Sequence, residues 1–217
     1  MIRAVLFDLD GVLVDTDALH YQAWKELADR LKIPFTPEQG NRCRGVSRMD
    51  SLEIVLERSP RAYSPEEKET FAREKNARYQ AMLSALTPEH TTPGAAAVLQ
   101  ALRERGYRLA LASGSKNAGL ILERTGLGRL LDAVADGTMI TRSKPDPEVF
   151  LTAARLLEVP PAQCVAVDDA LAGIQAGRAA GMGTVAFGDA ALHQAGDHNI
   201  QTLEQLLPLF PAQEERP

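Results

Sequence analysis

The sequence predicts an α/β fold with a buried parallel sheet that is interrupted, after its first strand, by a helical insert. Two observations predict this fold. Four short apolar runs without polar alternation are separated, for the most part, by helical patterns. Strands that are apolar throughout indicate a sheet buried on both faces, and alternating strands and helices indicate parallel pairing. Between residues 15 and about 88 the patterns are helical only, so we expect a Rossmann-like parallel sheet core with a small inserted helical cap domain.

The elements of the core are predicted in chain order. The strands are Ala4–Phe7, 109–112, 165–167 and 185–187, with Ala133–Ala135 as a weaker candidate. The helices are 93–105, 146–158 and 170–180. The first of these helices has a proline in its first turn and stops at Gly106, which are the usual signals of a helix start and end. We expect the Pro-flanked segment after Leu209 to be loosely held.

The insert carries two helical patterns. In the first, apolar residues recur at the spacing of one helix face. These residues are Leu19, Ala23, Trp24, Leu27, Ala28 and Leu31. The second pattern begins at Pro65, which is followed by acidic residues, and runs to about Leu86. We therefore expect an α/β catalytic core of residues 1–15 and 88–217 and a helical cap of residues 16–87.

Composition and charge narrow the class of protein. The formal net charge of the 217 residues is −5 and there is no basic stripe, which argues against nucleic acid as a partner. No apolar run approaches the roughly 20 residues of a membrane span, and the N-terminal segment is unlike a signal peptide. Two cysteines, Cys43 and Cys164, are too few for a disulfide framework or a zinc site. We expect a cytoplasmic monomer without membrane contacts.

Two carboxylates follow the first predicted strand. Asp8 and Asp10 lie in the segment Phe7-Asp8-Leu9-Asp10-Gly11. Ligands of open α/β sheets bind outside the carboxyl ends of the strands, so both acids are expected at the ligand site. In a continuous strand they would point to opposite faces, but Gly11 allows an immediate turn that brings both toward the crevice.

Further polar residues follow the later strands. Ser113 ends the second strand in a hydroxyl-rich turn before a helix, and a helix N-terminus is a natural anion site. Lys144 precedes a proline and a helix, and Asp168 and Asp169 end the fourth strand. Gly173 and Gly177 follow in the same segment and would let the next helix pack closely. Each motif alone has a plain structural explanation, but their ordered combination predicts an active site.

The combination resembles the four motifs of the haloacid dehalogenase-like superfamily, and it spans the whole core. The resemblance implies that Asp8 is a nucleophile that becomes an aspartyl-phosphate. It implies that Asp10 is the general acid/base that protonates the leaving oxygen. Members that displace halide lack this second acid, so its presence indicates phosphoryl transfer.

The resemblance also implies how the site binds phosphate and metal. Ser113 and Lys144 would bind the transferred phosphoryl group. The cofactor would be Mg²⁺, which prefers oxygen ligands. The ligands implied are Asp8, the main-chain carbonyl of Asp10 and Asp169. Asp168 is a further candidate ligand, direct or through water, at a position where the family pattern has Glu.

The insert resembles the cap of the sugar-phosphate mutases of this superfamily, which closes over the site and excludes water. Arg48 would hold the distal phosphate, since its planar fork suits bidentate binding. Thr16, His20 and Lys75 would couple cap closure to the position of Asp10. The further substrate contacts implied are Ser115, Lys116, Asn117, Trp24 and Gly45, and Trp24 is expected in the core whatever the function.

The implied reaction interconverts β-glucose 1-phosphate and glucose 6-phosphate through a bisphosphate, with small sugar phosphates as partners. A sugar-phosphate phosphatase of the same superfamily is the alternative, since it would share the core residues and differ only in the cap and in residues 115–117. A catalytically inactive binding module is a third hypothesis, which the intact Asp8 and Asp10 oppose. The sequence leaves the preferred sugar open.

Overall fold

The computed structural model describes residues 1–44 and 46–213 of the chain, which form two compact units. The core unit comprises Met1–Asp15 and Thr87–Pro217, and the insert unit comprises Thr16–Leu86. Gly45, one of the predicted substrate contacts, lies outside the described residues.

The core unit is built on a parallel sheet. In the described residues its strands are β1 Ala4–Phe7, β2 Arg108–Ala112, β3 Ala133–Ala135, β4 Cys164–Asp168, β5 Gly183–Phe187 and β6 His198–Ile200. Their spatial order is β3-β2-β1-β4-β5-β6, and every neighbouring pair is parallel. This is the order of a Rossmann-like sheet, so the predicted fold class is confirmed.

Helices flank the sheet and make up the insert. Those of the insert are α1 Asp17–Arg30, α2 Pro37–Arg42, α3 Arg48–Leu56 and α4 Pro65–Leu83. Those of the core are α5 Ala95–Glu104, α6 Ala118–Thr125, α7 Glu148–Leu156, α8 Leu171–Ala179 and α9 Gly188–Leu192. Within the described part of the chain, none of these helices is both long enough and apolar enough to cross a membrane.

The sheet brings the polar strand ends to one edge. Phe7, the last residue of β1, lies opposite Leu111 of β2 and Val167 of β4. Because all three strands run in the same direction, the residues that follow them emerge at the same edge of the sheet. The chemistry-bearing residues at these strand ends are Asp8, Asp10, Ser113, Asp168 and Asp169.

Three details of the predicted core were wrong. Strand β6 was missed, because it has only three residues, of which His198 and Asn199 are polar, and is defined by its pairing with β5. The helix expected at 93–105 begins at Ala95, because Gly94 has a φ of 78° at the N-cap. The helix expected at 146–158 begins at Glu148, whose backbone N–H donates to Asp146 Oδ1 over 3.0 Å, and ends at Leu156.

The insert has a hydrophobic core of its own. Helix α1 packs against α3 and α4, and its buried residues are Ala23, Trp24, Leu27 and Ala28. Leu52 and Phe71 join the same cluster from α3 and α4. Helix α4 starts at Pro65, as predicted, and a capping box between Ser64 and Glu67 satisfies its first turn. The described residues of this unit form helices and turns and no strand.

The segment after Leu209 is tied to the core, so the expectation that it is loose was wrong for residues 210–213. Phe210 is 4% exposed and packs edge-on against Tyr107, with ring centroids 5.4 Å apart. Arg105 Nη1 donates to the Phe210 carbonyl at 2.9 Å, and the Tyr107 hydroxyl donates to the Pro211 carbonyl at 2.9 Å. The buried ring of Phe210 and hydrogen bonds from the side chains of Arg105 and Tyr107 therefore hold residues 210–213, although the flanking prolines had indicated a loose segment.

We predict that Phe210→Ala lowers the free energy of unfolding by about 3 kcal/mol, because it removes a buried ring and leaves a cavity. Urea unfolding followed by far-UV circular dichroism measures the change. Leu192→Ala is the control, since Leu192 is 70% exposed and its loss should change stability by less than about 0.5 kcal/mol. Equal effects of the two substitutions would contradict the anchoring role of Phe210.

Candidate active site

The centre of the site is a buried cluster of charges at the end of β1. The Asp8 backbone N–H donates to the Val167 carbonyl at 2.9 Å, which continues the pairing of β1 with β4. Lys144 Nζ donates to Asp8 Oδ1 and, over 2.8 Å, to Asp168 Oδ2. All three side chains are buried. Lys144 thus lies between the predicted nucleophile and the first acid of the Asp168-Asp169 pair.

Lys144 is carried by a loop that is fixed to the start of α7. The Glu148 carboxylate accepts hydrogen bonds from the backbone N–H groups of Thr141, at 3.1 Å, and Arg142, at 2.7 Å. The Lys144 ammonium also lies 5.0 Å from the centroid of the Phe150 ring, on the same helix. The loop is therefore folded back on α7, and the lysine points from it toward the ends of β1 and β4.

The cluster holds more negative than positive charge. Burial raises the pKa of the Asp8 carboxyl well above its ordinary value; the Lys144 ammonium opposes this, but the charges of Asp168 and Asp10 raise the pKa again. Burial alone would lower the pKa of Lys144, but the charges of Asp168 and Asp8 outweigh it and raise that pKa, so the ammonium stays protonated. Additional cationic charge would stabilise the ionised form of Asp8.

Asp10 and Gly11 lie in a tight turn that follows β1. Gly11 has a φ of 82°, and its backbone N–H donates to the Val14 carbonyl at 2.8 Å. A Cβ at Gly11 would lie only 2.3 Å from Asp169 Oδ2. The glycine is thus required both for the turn, as predicted, and for the close approach of the Asp169 carboxylate.

The two acids that end β4 have different surroundings. Asp168 uses both oxygens, because Oδ2 accepts from Lys144 and Oδ1 accepts from the Ala170 backbone N–H at 3.0 Å. Asp169 lies against Gly11. A water-mediated metal contact of Asp168 stays a prediction, and the structure adds to it a contact with Lys144 that the sequence did not reveal.

The residues fit a divalent cation by charge and by donor type. Among the described residues, no group of three His, Cys, Asp or Glu side chains is arranged as a complete metal site. The predicted set needs fewer side chains, because it adds a main-chain carbonyl and Mg²⁺ usually keeps several waters. The excess negative charge around Asp8 and the exclusively oxygen donors both suit such an ion.

A chain of hydroxyl groups follows β2. The Ser113 backbone N–H donates to the Ala135 carbonyl at 3.0 Å, which keeps Ser113 at the strand end. Ser113 Oγ accepts from the Ser115 backbone N–H at 3.1 Å, and Ser115 Oγ accepts from the Asn117 backbone N–H at 3.2 Å. Both hydroxyls keep their own hydrogen for donation to a ligand. Ser113 and Asn117 are buried, whereas Lys116 is exposed.

In the insert unit, His20 and Lys75 form a pair surrounded by aromatic rings. Lys75 Nζ lies 2.9 Å from His20 Nδ1, and 4.7 and 4.6 Å from the ring centroids of Trp24 and Tyr79. The rings of His20 and Tyr79 stack with centroids 4.0 Å apart. Because an ammonium only donates, Nδ1 must accept and the proton of the neutral ring lies on Nε2. Burial, and then the charges of Lys75 and Arg48, hold the pKa of His20 well below its ordinary value.

Sequence reasoning assigned no role to Tyr79, although a signal was present. His20 and Trp24 are four residues apart on α1, and Lys75 and Tyr79 are four residues apart on α4, so each pair shares a helix face. Trp24 belongs to the hydrophobic core of the insert. Its role as a substrate contact stays a prediction.

The other predicted residues of the insert lie at helix starts. Thr16 precedes α1 and is buried, and its carbonyl accepts from the His20 backbone N–H at 2.9 Å. Arg48 is the first residue of α3, and burial lowers its pKa from the ordinary value. Arg44 Nη2 lies 2.8 Å from Asp17 Oδ2. Thus Thr16, His20, Lys75 and Arg48 share the insert unit, and the carboxylate cluster, Ser113 and residues 115–117 share the core unit.

Comparison with known proteins identifies the family. The family model of the haloacid dehalogenase-like hydrolases matches residues 2–181. The chain belongs to the haloacid dehalogenase-like hydrolase family. The family that the four motifs predicted is therefore confirmed.

Relatives of this haloacid dehalogenase-like chain carry two kinds of activity. The β-phosphoglucomutase of Bacillus subtilis strain 168 is 39% identical over 214 residues, which cover 94% of this chain and 95% of that protein. The crystal structure of β-phosphoglucomutase from Clostridium difficile has a TM-score of 0.90 at 35% identity and covers 95% of this chain and 94% of that chain. A phosphorylated carbohydrates phosphatase of Thermotoga maritima is 29% identical over 183 residues, 83% of this chain and 82% of that protein.

We predict that the insert loses stability as the pH falls below about 6.5, the ordinary pKa of histidine. Below that pH the unfolded chain binds a proton at His20 that the folded chain refuses, because the folded pKa is lowered. The free energy of unfolding should fall by at most about 1.4 kcal/mol per pH unit. The fluorescence of Trp24, the single tryptophan of the sequence, reports urea unfolding of this unit.

The variant His20→Gln should flatten this pH dependence, because glutamine does not titrate. The control is His198→Gln, since His198 is exposed and lies in the core unit. An unfolding midpoint that responds to pH equally in the wild type and in His20→Gln would contradict the neutral state of His20.

Proposed function

We propose that this enzyme is a β-phosphoglucomutase that interconverts β-D-glucose 1-phosphate and glucose 6-phosphate, an isomerase acting through an aspartyl-phosphate and glucose 1,6-bisphosphate. The observation that carries the proposal is the contact of the Lys144 ammonium with Asp8, at the end of β1, within a cluster that includes Asp10. The 39% identity to the mutase of Bacillus subtilis over nearly the whole of both chains supports the choice of substrate.

In the proposed first step, an Asp8 oxygen attacks the phosphorus atom of the 1-phosphate of glucose 1,6-bisphosphate, so that glucose 6-phosphate is the leaving group. The bond between phosphorus and the leaving sugar oxygen breaks, and Asp10 gives a proton to that oxygen. A carboxylate that attacks a phosphate dianion meets charge repulsion. Lys144 reduces this repulsion, and Ser113, whose hydroxyl hydrogen is available for donation, would bind a phosphoryl oxygen.

The cofactor in this proposal is Mg²⁺. The residues that would hold it are Asp8, the main-chain carbonyl of Asp10 and Asp169, with Asp168 through water. When bound, the ion would neutralise the excess negative charge of the cluster and of the phosphate.

The second half of the reaction transfers the phosphoryl group from Asp8 to the 6-hydroxyl of β-glucose 1-phosphate, which forms glucose 1,6-bisphosphate again. Asp10 takes the proton of that hydroxyl as its oxygen attacks the aspartyl-phosphate, and the bond between phosphorus and Asp8 breaks. Arg48 would bind the phosphate already present on the sugar, together with Ser115, Lys116 and Asn117. We define the cap as residues 16–87. Binding of the phosphate that does not react can supply the energy that closes this cap over the core.

The cap residues would make transfer to the sugar faster than transfer to water. Thr16, His20 and Lys75 are proposed to couple cap closure to the position of Asp10. The alternative function is a Mg²⁺-dependent sugar-phosphate phosphatase. This alternative is supported by the similarity to the phosphatase of Thermotoga maritima, which extends over 83% of the chain.

The first test is an assay of β-D-glucose 1-phosphate with Mg²⁺ and a trace of glucose 1,6-bisphosphate, in which glucose 6-phosphate and free phosphate are measured together. We expect rapid formation of glucose 6-phosphate with little free phosphate, and loss of both after removal of Mg²⁺ with a chelator. Asp8→Asn should lower kcat by at least about a thousandfold, because it removes the nucleophile.

Asp189→Asn is the matched control, since Asp189 is exposed in the first turn of α9 and should retain wild-type turnover. Free phosphate without glucose 6-phosphate would establish the phosphatase instead. Activity that survives in Asp8→Asn would refute both functions.

Arg48→Ala should separate the distal phosphate from the transferred one. We expect kcat/KM for β-D-glucose 1-phosphate to fall about tenfold to a hundredfold, as for loss of a charged hydrogen bond. Hydrolysis of p-nitrophenyl phosphate, which has no second phosphate, should change less than about twofold by the same reasoning. The control is Arg58→Ala, an exposed arginine of the insert. A parallel loss with both substrates would contradict the distal role.

A further inference from the structure

We infer that Gly173 is a positioning residue of the active site, whose missing side chain leaves the space in which the Asp168 carboxylate holds Lys144. The inference rests on the proposed phosphoryl transfer at Asp8. Its geometric part concerns only residues 168 and 173 and is testable by itself.

The Asp168 carboxylate has a fixed position. It is 1% exposed and ends β4, one residue beyond the register pair of Phe7 and Val167. Its Oδ2 accepts from Lys144 Nζ at 2.8 Å, and its Oδ1 accepts from the Ala170 backbone N–H at 3.0 Å. Rotation of the carboxylate away from this position would break both hydrogen bonds.

Gly173 forms the wall behind this carboxylate. A Cβ at Gly173 would lie 1.9 Å from Asp168 Cγ, 1.9 Å from Oδ2 and 2.1 Å from Oδ1. Non-bonded heavy atoms in proteins pack at about 3.5–4.0 Å, so any side chain at this position must displace the carboxylate. Asp168 is short and joined to the end of a central strand, which leaves it little freedom to move aside.

The backbone itself does not require a glycine here. Gly173 lies in the first turn of α8, where its N–H donates to the Ala170 carbonyl at 3.0 Å, and its φ is not in the left-handed region. Alanine is a better helix former than glycine. The conformation of the helix therefore favours alanine, and only the space taken by Asp168 opposes it.

A shift of Asp168 would be transmitted to Lys144. The ammonium would lose one of its two carboxylate acceptors and would move relative to Asp8. Misplacement of a catalytic group by about 1 Å can cost a hundredfold in rate. Gly173 would therefore act on catalysis through Asp168 and Lys144 without touching the substrate.

Helix α8 offers a matched control. A Cβ at Gly177, one turn later on the same helix, would lie 2.8 Å from Ala166 Cβ and 3.1 Å from Thr184 Cγ2. Both contacts are part of the packing of α8 on β4 and β5. Gly177→Ala thus disturbs the same helix, also at a buried position, without contacting the charged cluster.

The experiment compares Gly173→Ala, Gly177→Ala, Asp168→Ala and the double variant Asp168→Ala with Gly173→Ala. We expect Gly173→Ala to lower kcat for the sugar phosphate between tenfold and a hundredfold, and Gly177→Ala to lower the urea midpoint while kcat changes less than twofold. In the Asp168→Ala background, Gly173→Ala should change kcat by less than twofold, because the carboxylate that it would displace is gone.

Stability supplies a readout that is independent of turnover. Gly173→Ala should lower the urea midpoint in the wild type but leave it unchanged or raise it in Asp168→Ala, where the better helix former meets no carboxylate. If Gly173→Ala does not fold, Asp168→Ala should restore folding. The inference is overturned by a wild-type kcat in Gly173→Ala, by independent effects of the two substitutions, or by a failed restoration. If the wild-type enzyme transfers no phosphoryl group, the proposed function is refuted instead. The stability comparison would still test whether a side chain at position 173 displaces the Asp168 carboxylate.

Discussion

The active site depends on one interaction, in which the buried ammonium of Lys144 lies between the carboxylates of Asp8 and Asp168. Removing an ion from water is costly, and removing one partner of a buried pair typically costs about 3–5 kcal/mol. The arrangement is stable only if the strand ends and the lysine loop meet in register. Since a slip of one residue would turn a strand's side chains to the opposite face, the register of β1 with β4 is a condition for the site.

The excess of carboxylates also suits the site to a divalent cation. Asp8 is made harder to ionise by burial and by the charges of Asp168 and Asp10, and Lys144 opposes this effect. A cation would favour the ionised form of Asp8 and would also attract a phosphate dianion. Glycines permit this density of charge, because Gly11 leaves room for Asp169 and Gly173 leaves room for Asp168.

The two units stabilise a buried lysine in different ways. In the core, Lys144 contacts two carboxylates, and its pKa is raised. In the insert, Lys75 contacts a neutral imidazole and the faces of Trp24 and Tyr79. Ring faces attract an ammonium through their quadrupoles without adding negative charge, and the neutral imidazole of His20 accepts its hydrogen bond.

The sequence by itself determined whatever depends on neighbours along the chain. Apolar runs marked the ends of β1, β2 and β4, the acids and hydroxyls followed them directly, and Gly11 marked the turn after Asp8. Only the tertiary structure decided the contacts between distant residues. Strand β6 is defined by pairing with β5 and not by its own composition, and Phe210 is anchored by a ring from before β2. Asp168 meets Lys144 across 24 residues, and His20 meets Lys75 across 55. No local pattern encodes such pairs, because each exists only after the elements that carry its members have packed.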